Sequence, residues 1–227
     1  MNPASSFFSR FLSPAADEAC QYVTGIVGKN PLLLRELNLS ECELGDTRVN
    51  QISALLLRKC GLTEESCSAL ATVLRSNSSL KELDMSNNNL QDSGVKKLQN
   101  GLENINCTLE KLGTLFVNSL SHESCSALAT VLRSNSSLKE LDMRNNNLQD
   151  SGVKKLGLEN TNCTLEKLRL SNCSITEEGY KAMASALRSN PSHLIELDLT
   201  GNYPGPSGVK QLSDILQDGH YQLKTIR

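Results

Sequence analysis

The chain of 227 residues carries 23 lysines and arginines against 25 aspartates and glutamates, so its formal net charge is −2. This balance provides no basic surplus, and we therefore expect no nucleic-acid partner and no electrostatic attachment to a membrane surface. No apolar run approaches the ~20 residues that a membrane-spanning helix requires.

The N-terminal residues 1–14 form an irregular segment. Its aromatic residues Phe7, Phe8 and Phe11 are interrupted by serines and by Arg10, which makes the segment too polar for the apolar stretch of a secretory signal. Residues 15–227 instead contain about seven copies of one repeating unit. We therefore divide the chain into an irregular segment, 1–14, and a repeat region, 15–227.

Each regular unit opens with the pattern L-x-x-L-x-L-x-x-N/C-x-L, which is clearest from Leu80, Leu138, Leu165 and Leu194. The alternation predicts a short strand with the leucines facing inward and the intervening residues facing solvent. The residues that follow have helical spacing. This is the signature of a leucine-rich repeat. It predicts an α/β solenoid of horseshoe shape, with parallel strands on the concave face and helices on the convex face.

Two helix types alternate along the chain, so that the full pattern recurs only after two units. One type opens at Thr63, a candidate N-cap followed by two glutamates that suit the positive end of the helix dipole, and the same design recurs at Thr176. The other type opens at Asp92. Residues 65–98 match residues 123–156 with a single change, Ser86 against Arg144, which indicates an internal duplication.

Two places depart from the regular spacing. We call the leucine pattern that opens each unit its ladder. Leu34 and Ile52, the first residues of two successive ladders, lie too close together in the sequence for a full unit, so we expect distorted structure near residues 45–60. One extra residue also falls between Leu109 and Leu120. Because a slip of one residue reverses the faces of a strand, we predict a bulge near Gly113 and an irregular stretch over 112–120.

Asparagine or cysteine recurs at the same late position of each ladder, where we expect a structural role. These ladder residues are Cys42, Cys60, Asn88, Asn146, Cys173 and Asn202. Four further cysteines recur in matching pairs, Cys67 with Cys125 and Cys107 with Cys163, and recurrence with the repeat places cysteines about a repeat-length apart, too far for disulfide bonds. We therefore expect the 8 cysteines of the chain to be free thiols, as in a cytoplasmic protein.

The outward strand positions are where we expect a protein partner to bind, on the concave face. The candidate residues are Glu36, Asn38, Glu82, Asp84, Glu140, Asp142, Arg144, Lys167, Arg169, Glu196 and Asp198, with Tyr203 as the best aromatic candidate in an adjoining loop. One interpretation is an acidic stripe that attracts a basic partner. The other is that solvated strands simply need charge. Lys167 and Arg169 interrupt the stripe, and the absence of tryptophan leaves few residues of the type that dominates tight interfaces.

We find no pattern that predicts catalysis. The three histidines, His122, His193 and His220, lie in different repeats, and no paired cysteine or histidine spacing suits zinc. Cys67 and Cys125 lie early in helices, where a thiol pKa can fall, but their apolar neighbours favour burial. We therefore expect no enzyme activity, no metal and no cofactor.

The repeats resemble a known family. Leu-Lys-Glu-Leu-Asp-Met-Ser-Asn-Asn-Asn-Leu-Gln-Asp-Ser-Gly-Val-Lys at 80–96, together with 163–179 and 189–199, resembles the ribonuclease-inhibitor type of leucine-rich repeat. The sequence looks closest to the C-terminal repeats of NACHT-containing NOD-like receptors, over about residues 15–227. This resemblance implies a ligand-sensing or autoinhibitory region of a cytosolic innate immune receptor. The alternative is a ribonuclease-inhibitor-like protein inhibitor of an enzyme.

Overall fold

The fold is one parallel sheet whose consecutive strands are joined by helices. The computed structural model describes residues 54–57, 62–76, 80–114 and 120–227. The strands are β1 (Ala54–Leu56), β2 (Glu82–Asp84), β3 (Lys111–Gly113), β4 (Glu140–Asp142), β5 (Lys167–Arg169), β6 (Glu196–Asp198) and β7 (Thr225–Ile226). The helices are α1 (Glu64–Ser76), α2 (Gln91–Leu102), α3 (His122–Ser134), α4 (Gln149–Lys155), α5 (Glu177–Ser189) and α6 (Gly205–Gln217). Within these ranges the seven strands lie in chain order, each parallel to the next.

The register of the sheet stacks leucine on leucine. The central strand residues Leu55, Leu83, Leu112, Leu141, Leu168, Leu197 and Ile226 are direct neighbours across the sheet. All but Ile226 are at most 2 % exposed, whereas the residues on either side of Leu83, Leu141, Leu168 and Leu197 face outward and are partly exposed. The predicted alternation of buried leucines and outward residues is confirmed, and with it the leucine-rich-repeat architecture.

The helices close the inner side of the sheet and share one core with it. In α1 the buried residues Cys67, Leu70 and Leu74 have the spacing of a single helix face. They belong to a continuous cluster that extends through every described unit to Leu223. Because each unit covers its neighbours, the core depends on stacking rather than on any single repeat.

Carboxylates of one repeat hold the helix start of the next. Asp92 accepts hydrogen bonds from the backbone N–H (2.9 Å) and hydroxyl (2.6 Å) of Ser121, and also from the Ser124 hydroxyl. Burial raises the pKa of Asp92, but these hydrogen bonds outweigh it and the net pKa is lowered. Asp150 likewise accepts from the N–H (2.7 Å) and hydroxyl (2.6 Å) of Thr176. Thr176 occupies the N-cap position of α5, as predicted, but its side chain makes no cap hydrogen bond and its hydroxyl donates to the preceding repeat.

The contacts in the alternate interfaces are different. Lys97 of α2 reaches back to Glu65 of α1 at 2.8 Å, and Lys155 of α4 reaches back to Glu123 of α3 at 2.7 Å. The two kinds of interface follow the two helix types that the sequence predicts.

The bulge that we predict near Gly113 is absent. Strand β3 pairs in register with both neighbours through Gly113, and the backbone N–H of Thr114 donates to the Asp142 carbonyl at 2.8 Å. Leu112 and Thr114 are buried, as regular inward positions are. From Thr114 to Leu120 the chain advances by one position more than it does between the equivalent Met85 and Leu90. The extra residue therefore lies within 115–119, outside the described residues.

Several predictions concern parts of the chain outside the described residues. They include the irregular segment 1–14 and most of the distorted stretch 45–60. The candidate residues in these parts are Glu36, Asn38, Cys42 and Cys60.

The ladder asparagines bind the strand end of their own repeat to the preceding repeat. The amide of Asn146 donates to the carbonyls of Met143 (2.8 Å) and Thr114 (3.2 Å), and its oxygen accepts from the N–H of Leu120 (3.2 Å). Asn88 makes the equivalent three contacts, including 2.7 Å to the carbonyl of Leu57. Both side chains are buried. Asn202 contacts carbonyls of Leu170 and Leu199 in the same way.

Cys173 occupies the same ladder position with fewer polar contacts. Its thiol lies 3.3 Å from the carbonyl of Met143 in the preceding repeat, but it has no oxygen with which to accept a backbone N–H. The described cysteines Cys67, Cys107, Cys125, Cys163 and Cys173 are all free and buried, as predicted for them. Burial raises the pKa of Cys67 and Cys125 to about 12 and that of Cys173 to about 11.

The asparagine contacts predict a specific cost of substitution. Asn146→Ala leaves the N–H of Leu120 and two carbonyls without their buried partner, and we expect it to lower the free energy of unfolding by about 2–4 kcal/mol. The neighbouring exposed Asn147 provides a matched control, because Asn147→Ala should change stability by no more than about 0.5 kcal/mol. Urea unfolding followed by circular dichroism measures both values. Equal losses in the two variants would contradict the structural role of Asn146.

Burial of the thiols predicts protection from alkylation. At pH 8 we expect iodoacetamide to modify Cys67, Cys125 and Cys173 more than about 100-fold more slowly in the folded chain than in urea, because the thiolate is the nucleophile. Because burial disfavours the thiolate, the protonated thiols stabilise the folded chain. This stabilisation is complete below the pKa of an unfolded thiol, about 8.5, and is lost as the pH rises towards 12, the pKa of buried Cys67 and Cys125. Peptide-resolved mass spectrometry measures each cysteine separately. Comparable rates in the folded and unfolded chain would refute the protection.

Candidate protein-interaction surface

The candidate surface is the side of the sheet opposite the helices, which we call the sheet face. It consists of the outward residues that flank the buried central leucines. The register aligns one set into a first row, Glu82, Lys111, Glu140, Lys167 and Glu196. It aligns the other set into a second row, Asp84, Gly113, Asp142, Arg169 and Asp198. Backbone hydrogen bonds of Arg227 with Leu197 and Leu199 place Arg227 beside Asp198.

The charges of these rows alternate along the sheet. In the first row each glutamate has a lysine as its neighbour, and in the second row Arg169 separates Asp142 from Asp198. The sheet face is therefore a lattice of opposite charges and not the continuous acidic stripe of one interpretation. Sequence reasoning missed one basic residue of the sheet face, Lys111. The predicted bulge near Gly113 put the extra residue inside the strand, so the outward positions of this repeat were not assigned. The spacing of Leu109 and Leu112 carries the signal that would have located it.

Glu140 lies at the centre of the first row. Its carboxylate pairs with Lys167 at 3.1 Å, Arg169 at 3.7 Å and Lys111 at 3.8 Å. Burial raises the pKa of Glu140, but these three cations outweigh that effect and the net pKa is lowered. With its side chain 19 % exposed, Glu140 is a fixed negative charge that holds basic side chains from both neighbouring strands.

Arg144, which follows β4, lies over the second row. Its guanidinium binds Asp142 through two parallel hydrogen bonds, Nε to Oδ1 at 2.9 Å and Nη2 to Oδ2 at 2.7 Å. The hydrogen bonds that Arg144 donates to Asp142 raise the pKa of Arg144, and the charges of Asp142, Asp198 and Asp84 raise it further. The first copy of the duplicated segment has the buried Ser86 at the same position. The single difference between the copies thus alters the charge of the sheet face.

A depression of about 400 Å³ opens in the sheet face around Gly113. Charged side chains of both signs form most of its lining. They are Glu82, Asp84, Lys111, Glu140, Asp142, Arg144 and Arg169. The depression thus brings together seven charged side chains, six of them predicted as partner contacts from the sequence and one, Lys111, not.

Tyr203 does not belong to either row. It lies in the loop between β6 and α6 with 68 % of its surface exposed, and its backbone N–H donates to the carbonyl of Ile175 at 2.8 Å. This bond fixes the loop while the phenol ring stays accessible. The neighbouring Asn202 donates to the carbonyls of Leu170 and Leu199, so the start of the loop is hydrogen-bonded to two repeats.

No catalytic or metal-binding arrangement is found among the described residues. They contain no group of three or more histidine, cysteine, aspartate or glutamate side chains that could hold a metal ion. His122 pairs with Glu123 at 3.1 Å and His220 with Asp218 at 2.6 Å, each at a different surface position. Of the helices in the described ranges, none is both long and apolar enough to cross a bilayer.

Comparisons with known proteins agree with the fold. The family described as Leucine Rich repeat matches residues 32–47, 76–98, 134–157 and 161–184. A ribonuclease inhibitor of Mus musculus is 39 % identical over 91 % of this chain and 48 % of that protein. The NACHT, LRR and PYD domains-containing protein 3 of Bos taurus is 38 % identical over 92 % of this chain and 21 % of that protein. The chain thus spans about half the length of the first relative and about a fifth of the second.

Among solved structures, the tropomodulin C-terminal domain from Caenorhabditis elegans aligns with a TM-score of 0.46 and 14 % identity, over 86 % of this chain and 91 % of that one. The repeat pattern and the parallel sheet show that the chain has the leucine-rich-repeat fold, and its sequence is similar to ribonuclease inhibitors and to NACHT, LRR and PYD domains-containing proteins over most of its own length.

Proposed function

We propose that this chain is a protein-recognition module that binds its partner through the sheet face. Its place would be the ligand-sensing or autoinhibitory repeat region of a cytosolic innate immune receptor. The observation that carries the proposal is the lattice of opposite charges, which presents partly exposed Lys111, Glu140 and Arg169 side chains at fixed positions. Such a surface contributes specificity and a fast association rate.

The relatives support this role and its location. Proteins with NACHT, LRR and PYD domains in their names match over 92 % of this chain, which supports a role as a repeat region of that kind. Five free, buried cysteines in the described part suit a reducing compartment. The proposed mechanism is binding alone, without a chemical step on the partner, and we propose that the chain is not an enzyme.

A ribonuclease-inhibitor-like role is the second candidate. The 39 % identity to the inhibitor of Mus musculus favours it. The alternation of Glu82, Lys111, Glu140 and Lys167 favours the first candidate instead, because a lattice of both signs attracts a strongly basic enzyme less than a continuous acidic stripe would.

A matched pair of charge reversals tests the proposed function. The variant Lys111→Glu with Lys167→Glu changes the sheet face, and Lys96→Glu with Lys154→Glu makes the same change in net charge on exposed positions of α2 and α4. We expect the first variant to lose at least about tenfold in partner capture, since a reversed charge meets its former counterpart as a repulsion. Quantitative mass spectrometry of proteins captured from cytosolic extract measures the loss, after urea unfolding has confirmed that both variants fold.

The helix-side variant should capture the same proteins as the unmodified chain. Retention of partner capture by both variants, or loss of capture by the helix-side variant alone, would place the binding surface elsewhere.

A parallel assay of RNA cleavage by a purified secretory ribonuclease distinguishes the two candidates. Stoichiometric inhibition by the unmodified chain would favour the inhibitor, and no inhibition at a large excess is expected from a receptor module.

A further inference from the structure

The guanidinium of Arg169 has hydrogen-bond donors that the sheet face does not use. Its Nη1 lies 3.7 Å from Oε2 of Glu140, which is an ion pair but too long for a hydrogen bond. Among the described residues, none accepts a hydrogen bond from this guanidinium. The side chain is 27 % exposed, so it is held in the sheet face and still reaches solvent. Because a guanidinium carries five N–H donors in one plane, Arg169 can bind a further acceptor.

The two carboxylates that flank Arg169 in the second row are engaged by other groups. These neighbours are Asp142 and Asp198. Both oxygens of Asp142 accept hydrogen bonds from the Arg144 guanidinium, at 2.9 and 2.7 Å. Oδ1 of Asp198 accepts from the N–H of Thr200 at 3.0 Å and from its hydroxyl at 2.7 Å. Arg144 thus occupies the carboxylate on the strand next to Arg169, and Arg169 is left available.

The basic side chains around Arg169 reach farther into solvent than the carboxylates that hold them. The side chains of Glu140 and Asp142 are 19 % and 18 % exposed. Their other basic partners on the sheet face are between 37 % and 49 % exposed, and they are Lys111, Lys167 and Arg144. An acidic group that approaches this part of the sheet face therefore meets cations before it meets the carboxylates beneath them.

The surroundings favour a carboxylate over a phosphate as the acceptor. Arg144 and Arg169 both border the depression of about 400 Å³ in the sheet face. Its lining also includes carboxylates, those of Asp84, Glu140 and Asp142. A phosphate monoester carries about −1.5 to −2 charges near neutral pH, so these carboxylates repel it more than they repel a group with a single negative charge.

We propose that Arg169 binds the carboxylate of one aspartate or glutamate side chain of a protein partner, and that Arg144 is a positioning residue that keeps Arg169 available by occupying Asp142. The planar fork of a guanidinium forms two parallel hydrogen bonds with a carboxylate. The single difference between the duplicated copies, Ser86 against Arg144, then determines which copy has a free guanidinium beside it. The inference rests on the proposed function and specifies the partner group that the sheet face selects.

Small-molecule probes test this inference on the full chain by NMR. We expect N-acetyl-glutamate amide, which carries one carboxylate, to cause saturable shifts of the Arg169 Nε–H and of the backbone amides of residues 168–170. The neutral analogue N-acetyl-glutamine amide has nearly the same shape and should cause none. Arg169→Gln should weaken binding of the glutamate probe at least about fivefold. The matched control Arg188→Gln, at an exposed position of α5, should leave the binding unchanged.

A second pair of variants tests how Arg144 acts. Arg144→Ser releases Asp142 to bind Arg169, so we expect the glutamate probe to bind at least about fivefold more weakly. Adding Asp142→Asn removes the competing carboxylate and restores the original net charge, and binding should recover. Equally weak binding by the single and the double variant, once urea unfolding has confirmed that both fold, would overturn the positioning role of Arg144.

Three outcomes would each overturn the binding of a carboxylate by Arg169. They are equal shifts from the glutamate and glutamine probes, no saturable shift at residues 168–170, and full binding by Arg169→Gln. Tighter binding of N-acetyl-phosphoserine amide than of the glutamate probe would overturn the choice of a carboxylate. A chain that loses partner capture on reversal of Lys111 and Lys167 but does not respond to the glutamate probe would retain the proposed function and lose this inference alone.

Discussion

The ladder asparagine is the interaction on which the geometry of the sheet face depends. A single buried side chain such as Asn146 satisfies one N–H and two carbonyls, and two of these three groups belong to the preceding repeat. Unpaired buried backbone groups are costly, so this arrangement holds successive strand ends at one spacing. Because the strands stay in register, their outward residues form straight rows. The alternation of charge is a property of the register as much as of the sequence.

Much of this fold can be predicted from the leucine pattern. Side chains of a strand alternate between two faces, so the inward leucines also fix which residues face outward. The outward candidates follow by elimination, and Glu140 and Asp142 lie where the pattern puts them. What the pattern does not predict is where an inserted residue is absorbed. Two placements are compatible with Leu109 and Leu120, and only strand pairing shows that β3 stays regular through Gly113. The error concealed Lys111 and with it the alternation of charge.

The helix starts show a second limit of sequence reasoning. Threonine before two glutamates is a good local signal for a cap, and Thr176 does occupy the position before α5 with extended backbone. Its hydroxyl nevertheless turns to Asp150, which belongs to the preceding repeat. Ser121, at the matching position before α3, donates to Asp92 and also accepts from the backbone N–H of Glu123, so a contact with the preceding repeat does not by itself prevent a cap. Contacts with a neighbouring repeat cannot be read from a window of a few residues.

The two kinds of helix interface restrict how the number of repeats can change during evolution. Asp92 and Asp150 engage the following repeat, whereas Lys97 and Lys155 engage the preceding one. Loss or gain of one unit would place two helices of the same type side by side, with a carboxylate or a lysine facing the wrong partner. Loss or gain of two units keeps the two helix types alternating. The matching segments 65–98 and 123–156 are offset by such a pair of units, so the pair is the smallest segment that can be copied without placing two helices of one type side by side.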